Sequence, residues 1–184
     1  EVGCRASGWR PELVALEGDG TVLGHDGSLP PDVRSAIRTG VESDVPVVLA
    51  TGRSWRGTLP MAERLGLPGG LSVCSNGAVV VDFPPERVVK AVTFDPRAVI
   101  EKVEAYAPGT LIAVEEIGRG FRLSGAFPDG DLTGEMIIED VEQLSSRPVT
   151  RIILRDPRAS DHDFVALAER LGLEALVSAG RRDE

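Results

Sequence analysis

Two carboxylates lie two residues apart near the start of the chain, where the segment LVALEGDGTVL places Glu17 and Asp19 directly after an apolar run. A carboxylate can attack phosphorus, and a second carboxyl group close by can protonate the leaving oxygen. A spacing of two residues at the end of a strand can point both side chains towards one substrate. Glu17 and Asp19 are therefore candidate catalytic residues.

Two further turns carry groups that could bind phosphate. Thr51 and Gly52 offer a hydroxyl and a backbone N–H, and Asn76 offers an amide donor. Arg53 could contact phosphate or form an ion pair at the start of the following helix, and the sequence leaves both readings open. Each turn alone is weak evidence, since GDGT is also an ordinary turn composition. Three such turns, each directly after an apolar run, favour a functional site.

The runs before these turns are predicted to be buried strands at residues 12–16, 46–50 and 71–75. Amphipathic segments at residues 30–43 and 55–67 predict a helix between each pair of strands, with a double proline before the first helix and Pro60 near the start of the second. Alternating strands and helices imply a parallel sheet, whose active sites lie at the carboxyl ends of the strands. The three polar turns are all expected at that edge.

The second half of the sequence has a different order of predicted elements from the first half. AVVVD and RVVKAV flank FPPE and predict a hairpin, and the helix after them is expected to place Val99, Val103 and Tyr106 on one side. Two strands joined across Gly118 follow, then a short helix IEDVEQLSS, a strand at residues 149–155, a helix at 160–172 and a last strand at 173–179. We expect two domains, the first at residues 1–82 and an α+β unit at 83–184.

Composition limits the function. The chain has 184 residues, 42% of them hydrophobic, and a net charge of −9, so a polyanion such as nucleic acid is an unfavourable partner. The apolar runs are too short for a membrane span, which needs about 20 residues. The first residues contain no apolar signal segment, and two cysteines do not make a disulfide framework. These features favour a cytoplasmic protein with no membrane or nucleic-acid partner.

The segments LVALEGDGTVLGHDGSLPPDVRSAI, VVLATGRS and CSNGAVVVD together resemble the opening motifs of the haloacid-dehalogenase-like superfamily, in particular its Cof-type phosphatases with a large cap. The resemblance implies a Rossmann-like parallel-sheet core with an α+β cap domain, and a Mg²⁺-dependent phosphatase of small phosphorylated metabolites such as sugar phosphates. It assigns Glu17 as nucleophile, Asp19 as acid and base, and both as metal ligands. It further assigns Thr51, Gly52 and Asn76 to phosphate binding.

The chain departs from the family pattern at two places. Glu17 stands where the family has Asp, and the sequence ends before the family's Lys motif and its Gly-Asp-x-x-Asn-Asp motif. The resemblance therefore predicts a C-terminally truncated core with residues 12–16 as an exposed sheet edge. We expect the chain to be poorly soluble, to self-associate through this edge, or to fold mainly in residues 83–179. The alternative function is a catalytically inactive, truncated or degenerate domain of this family that binds a phosphorylated ligand or a partner.

Overall fold

A computed structural model describes residues 11–24 and 26–156, and these residues fall into two compact units that meet at residues 91 and 92. The sequence placed this division between residues 82 and 83. The structure includes residues 87–91 in the first unit because they form a strand paired with the strand before them. Among the described residues, no helix combines the length and the apolar character needed to cross a membrane.

The first unit contains a five-stranded sheet whose strands lie side by side in chain order. The first three are parallel, as predicted, and the last two form the predicted antiparallel hairpin. Leu49 of the second strand pairs with Leu16 on one side and Ser72 on the other, so the carboxyl ends of the parallel strands are adjacent. The strands are β1 (Val14–Leu16), β2 (Val47–Ala50), β3 (Gly70–Cys74), β4 (Val79–Phe83) and β5 (Arg87–Ala91).

Two helices connect the parallel strands at the predicted places. Helix α1 (Pro31–Glu42) begins at the double proline, whose fixed φ suits a first helical turn. Helix α2 (Trp55–Leu65) begins at the predicted residue and is capped by Ser54, whose side chain accepts a hydrogen bond from the Gly57 N–H. Pro60 lies inside this helix. The apolar face of α2 is buried and fixes the turn that precedes the helix.

The described part of the second unit, residues 92–156, contains a four-stranded sheet and two helices, an α+β arrangement as predicted. Its core joins Ile100 and Val103 of the first helix to Ile112 and Val114 of the sheet, with Leu144 from the second helix. In chain order the elements are α3 (Arg97–Tyr106), β6 (Leu111–Glu116), β7 (Gly120–Leu123), β8 (Glu135–Ile138), α4 (Val141–Leu144) and β9 (Ile152–Arg155). The strands lie side by side in the order β8-β7-β6-β9.

Three local predictions for the second unit need comment. Tyr106 was expected on the buried side of its helix but is 64% exposed, because Ile100 fills the core together with Val103. Strand β8 was not predicted, and the expected helix at residues 138–146 is a single turn, α4, which begins after that strand. The helix and strand predicted at residues 160–179 lie outside the described residues.

Candidate functional site

The three polar turns follow β1, β2 and β3 at the same edge of the parallel sheet, as the sequence predicts. Glu17 and Asp19 come directly after β1, Thr51 after β2 and Asn76 after β3. Parallel neighbours in register bring these ends side by side. The carboxyl edge of the sheet therefore collects every residue that the sequence singled out for catalysis or phosphate binding.

Backbone hydrogen bonds tie the turn after β2 to the turn after β3. The Thr51 N–H donates to the Val73 carbonyl at 2.9 Å, and the Asn76 N–H donates to the Thr51 carbonyl at 3.2 Å. The Ser75 N–H donates to the Arg53 carbonyl at 2.8 Å. Asn76 adopts a left-handed conformation with φ of 55°, which Asn tolerates better than most residues. The two phosphate-binding candidates thus have a fixed relative position.

Two glycines allow these turns to approach each other. A Cβ built on Gly52 would lie 2.8 Å from the Asn76 Oδ1, a distance that real Cβ atoms do not show. A Cβ on Gly18, the residue between the two carboxylates, would lie 2.9 Å from the Met61 Sδ and 3.6 Å from the Thr51 Oγ1. The turn after β1 therefore lies against the turn after β2. The sequence did not assign Gly18 a role, although its place between two candidate catalytic residues could have indicated one.

The turn after β1 is closed on itself and anchored by buried side chains. The Leu23 N–H donates to the Gly18 carbonyl at 2.8 Å, and the Gly20 N–H donates to the Leu23 carbonyl at 2.9 Å. Val22 and Leu23 are each 2% exposed. The buried end of this turn holds its backbone in place, while the side chains of Glu17 and Asp19 remain accessible to solvent.

Arg53 binds the carboxylate of Asp19 in a two-bonded fork. Its Nε donates to Oδ2 at 2.8 Å and its Nη2 donates to Oδ1. The hydrogen bond to Asp19 raises the pKa of Arg53, and the negative charges of Asp19 and Glu17 raise it further. Of the two roles that the sequence left open for Arg53, the structure contains an ion pair, with an acidic partner on the neighbouring strand end. The sequence could have indicated this ion pair, because Arg53 and Asp19 carry opposite charges and were predicted at the ends of adjacent strands.

The carboxylates at the site suit a hard divalent cation, although only two of them are present. Glu17 and Asp19 provide carboxylate oxygens, and within residues 11–24 and 26–156 no group of three or more His, Cys, Asp or Glu side chains is arranged to hold a metal. Mg²⁺ commonly takes only one or two protein carboxylates and fills its shell with water and phosphate oxygens. The chemistry of the two carboxylates therefore fits Mg²⁺.

An open depression elsewhere on the first unit has no such chemistry. It is lined by Pro11, Glu12, Asp44 and Pro46, which precede β1 and β2 and so lie at the opposite, amino edge of these strands. Ligands of open parallel sheets bind at the carboxyl edge. We therefore take the cluster of turns, and not this depression, as the functional site.

Comparison with known proteins identifies relatives of the chain. A family model for haloacid dehalogenase-like hydrolases matches residues 14–111, more than half of the chain. A protein of Streptococcus pyogenes serotype M6 is 36% identical over 88 residues, which is 46% of this chain and 33% of that protein. A protein of Metamycoplasma hominis is 42% identical over 57 residues, 30% of this chain and 20% of its own length. Both are named provisionally as phosphatases, and the chain spans a third or less of each.

Solved structures share the fold at low sequence identity. A haloacid dehalogenase-like hydrolase from Bacillus subtilis superposes with a TM-score of 0.68 at 18% identity, over 88% of this chain and 67% of its own. A haloacid dehalogenase-like hydrolase from Bacteroides thetaiotaomicron superposes with a TM-score of 0.68 at 15% identity, and the match covers 88% of this chain and 63% of that one. A sugar phosphatase of subclass IIB superposes with a TM-score of 0.63 at 15% identity, and the match covers 87% of this chain and 64% of that one. Because each match covers 87% or 88% of the chain, it includes most of both units.

Proposed function

The chain belongs to the haloacid dehalogenase-like hydrolase family, and on that premise we propose that it is a phosphatase acting on small phosphorylated metabolites such as sugar phosphates. The observation that supports this most is the juxtaposition of Thr51 and Asn76, bonded through their backbones, with the turn that carries Glu17 and Asp19. A phosphate bound between these turns would meet donors on one side and a carboxylate nucleophile on the other. A solved sugar phosphatase with the same fold supports the choice of substrate class.

The proposed reaction has two steps, and both use side chains of the turn after β1. A Glu17 carboxylate oxygen forms a bond to phosphorus, the bond from phosphorus to the substrate oxygen breaks, and Asp19 gives that oxygen a proton. Asp19 then takes a proton from a water molecule, whose oxygen displaces Glu17 and releases inorganic phosphate. General acid and base catalysis by one positioned side chain contributes about 10²- to 10⁴-fold.

Each remaining site residue is assigned a role by the group that it presents. The Thr51 hydroxyl and the Gly52 N–H donate to phosphate oxygens, and the Asn76 amide donates from the neighbouring turn. Mg²⁺, held by Glu17 and Asp19, would neutralise charge on the phosphoryl group. These groups orient the phosphorus for attack and stabilise the charge that develops on its oxygens.

We propose for the second unit the role of a cap that selects the substrate. Its sheet contains two buried charged side chains, Arg122 and Glu115, and each forms ion pairs with other residues of the same unit. The net charge of −9 supports a small substrate over nucleic acid. A cytoplasmic location, where phosphorylated metabolites occur, is part of the same proposal.

Phosphate release from a panel of sugar phosphates and from an aryl phosphate tests the function. We expect hydrolysis that needs Mg²⁺, stops on chelation, and is lost in Asp19→Asn, which cannot exchange a proton. Arg38→Gln is a matched control, because Arg38 lies on the exposed face of α1 and pairs only weakly with Glu42 at 3.7 Å. It should hydrolyse at the rate of the unaltered chain.

Two results would contradict the proposal. Hydrolysis that persists in Asp19→Asn would arise outside this site. Tight binding of inorganic phosphate with no turnover on any substrate would instead establish the non-catalytic alternative, which at present has weaker support because the matched relatives are named as phosphatases.

A further inference from the structure

The ion pair between Arg53 and Asp19 joins a basic and an acidic residue of the candidate site. In this arrangement both oxygens of Asp19 accept hydrogen bonds from one guanidinium group. A carboxylate held in this way has both of its oxygens engaged by Arg53, so neither is free to exchange a proton with a substrate. The resting site is therefore not arranged for the proton transfer that the proposed reaction requires.

The ion pair between Arg53 and Asp19 is weak enough for a competing anion to replace Asp19. The Arg53 and Asp19 side chains are 37% and 53% exposed, and ion pairs between side chains this accessible are weak because water competes for both charges. Among the described residues, the third nitrogen of the guanidinium, Nη1, has only a long contact of 3.5 Å with the Gly57 carbonyl. A dianionic phosphate offers the same fork of oxygens as a carboxylate, with more charge.

The backbone of Arg53 is fixed even though its side chain is accessible. Its N–H donates to the Thr51 Oγ1 at 3.2 Å, and its carbonyl accepts from the Ser75 N–H at 2.8 Å. Both partners belong to the turns that carry the phosphate-binding candidates. Rotation about the side-chain bonds of Arg53 thus moves the guanidinium within the site and keeps it beside Thr51.

We propose that Arg53 is a positioning residue that binds Asp19 in the resting site and transfers its guanidinium to the phosphate group of an entering substrate. The transfer releases the Asp19 carboxylate, which then takes a proton from solvent water and can give it to the leaving oxygen. Binding of phosphate and release of the acid are then one event, so the site becomes competent only when a phosphate group is present. This inference rests on the proposed function, since it needs a phosphate group at this edge of the sheet.

Asp19 and phosphate compete for one guanidinium in this account, and the competition can be measured without turnover. Isothermal titration with inorganic phosphate would compare the unaltered chain, Asp19→Asn, Arg53→Gln and the double variant. We expect Asp19→Asn to tighten phosphate binding about two- to fivefold, the factor that corresponds to loss of an exposed ion pair. Arg53→Gln should weaken binding about tenfold, because a charge-assisted hydrogen bond to phosphate is lost.

The double variant separates competition from simple charge repulsion. In the Arg53→Gln background, Asp19→Asn should have a smaller effect than it has alone. Glu17→Gln is the matched control, because it removes the same charge from the same turn and has no hydrogen bond to Arg53 among those described. Because Glu17 acts on Arg53 through charge alone, its effect on phosphate affinity should differ between the two backgrounds by less than the effect of Asp19→Asn does. Near-ultraviolet circular dichroism would establish that each variant is folded.

Two outcomes would overturn the proposal, and they differ in what else they affect. If Asp19→Asn changes phosphate affinity by the same factor with and without Arg53→Gln, the exchange is wrong while the phosphate site and the proposed function stand. If no protein in the set binds phosphate at millimolar concentrations, the exchange and the proposed function are both wrong.

Discussion

The backbone N–H of Asn76 donates a hydrogen bond to the carbonyl oxygen of Thr51 at 3.2 Å, and this bond joins the ends of β2 and β3. Both strands are interior to the sheet, whereas β1, which leads to Glu17 and Asp19, pairs with β2 alone among the described strands. Thr51 and Asn76 thus follow strands that are paired on both sides, whereas Glu17 and Asp19 follow a strand that is paired on one side. Substitutions on the two sides should therefore affect binding and chemistry differently.

Thr51→Val should weaken binding of inorganic phosphate about tenfold, since it removes a donor to the ligand and the acceptor of the Arg53 N–H. The Thr51 residue is 6% exposed, so a valine of the same shape keeps the packing. Thr51→Ser keeps the hydroxyl and should bind phosphate normally. Calorimetric titration measures both, and equal affinities for the two variants would remove Thr51 from the site.

Gly52→Ala should impair phosphate binding with little change in melting temperature, because its Cβ would come within 2.8 Å of the Asn76 Oδ1 and displace that side chain. Gly40→Ala is the matched control, since no atom lies within 4 Å of a Cβ at this position in α1. It should stabilise the chain by about 0.5–1 kcal/mol. If Gly52→Ala left phosphate affinity unchanged, Asn76 would not be a ligand.

Glu17→Asp should increase the rate of hydrolysis, by about 10²-fold if position alone limits the nucleophile. The added methylene of Glu17 moves the attacking oxygen by about 1.5 Å, and a misplacement of about 1 Å can cost on the order of 10²-fold in rate. Single-turnover assays with an aryl phosphate would measure the change. Glu17→Gln should abolish the reaction, and a rate in this variant equal to that of the unaltered chain would show that Glu17 is not the nucleophile. An unchanged rate in Glu17→Asp would show that the position of the carboxylate does not limit the reaction.

Arg122→Ala should destabilise the chain by about 3 kcal/mol, because it leaves two glutamates without their buried partner. The Arg122 side chain is 3% exposed and contacts Glu116 at 3.1 Å and Glu139 at 3.2 Å. The comparison is Arg119→Ala, which breaks a pair with Glu135 whose side chains are 61% and 51% exposed. That change should cost under about 1 kcal/mol.

Urea denaturation followed by circular dichroism gives both free energies of unfolding. Equal costs for Arg119→Ala and Arg122→Ala would mean that the buried network adds nothing beyond an exposed pair.

Leu13→Lys should reduce self-association, which we propose occurs through the edge of β1 that no described strand covers. Leu13 is 53% exposed beside this edge strand, and lysine at an edge discourages pairing with another chain. Leu71→Lys is the control, since Leu71 is 45% exposed but lies on β3, between β2 and β4. Sedimentation velocity over a range of concentrations measures association. An equal effect of both changes would indicate loss of exposed apolar area and not of a strand edge.

Local sequence determined most of the elements and the place of the site. A β-branched run followed by a turn rich in Gly, Asp and Thr specifies both a strand and its end, so the strands before Glu17, Thr51 and Asn76 were predicted nearly at their observed bounds. Parallel order then follows from the helices between them. These signals lie within a few residues of each other and need no knowledge of the rest of the chain.

Tertiary structure decided the features that depend on distant partners. Arg53 finds Asp19 across 34 residues, a choice set by the pairing of β1 with β2 and not by the turn that contains Arg53. Strand β8 has four exposed residues and no alternating pattern, so only its pairing with β7 makes it a strand. That pairing requires Gly120, where a Cβ would lie 2.0 Å from the Glu135 carbonyl oxygen. Register and close approach between separate segments carry no local signal, and the folded chain alone determines them.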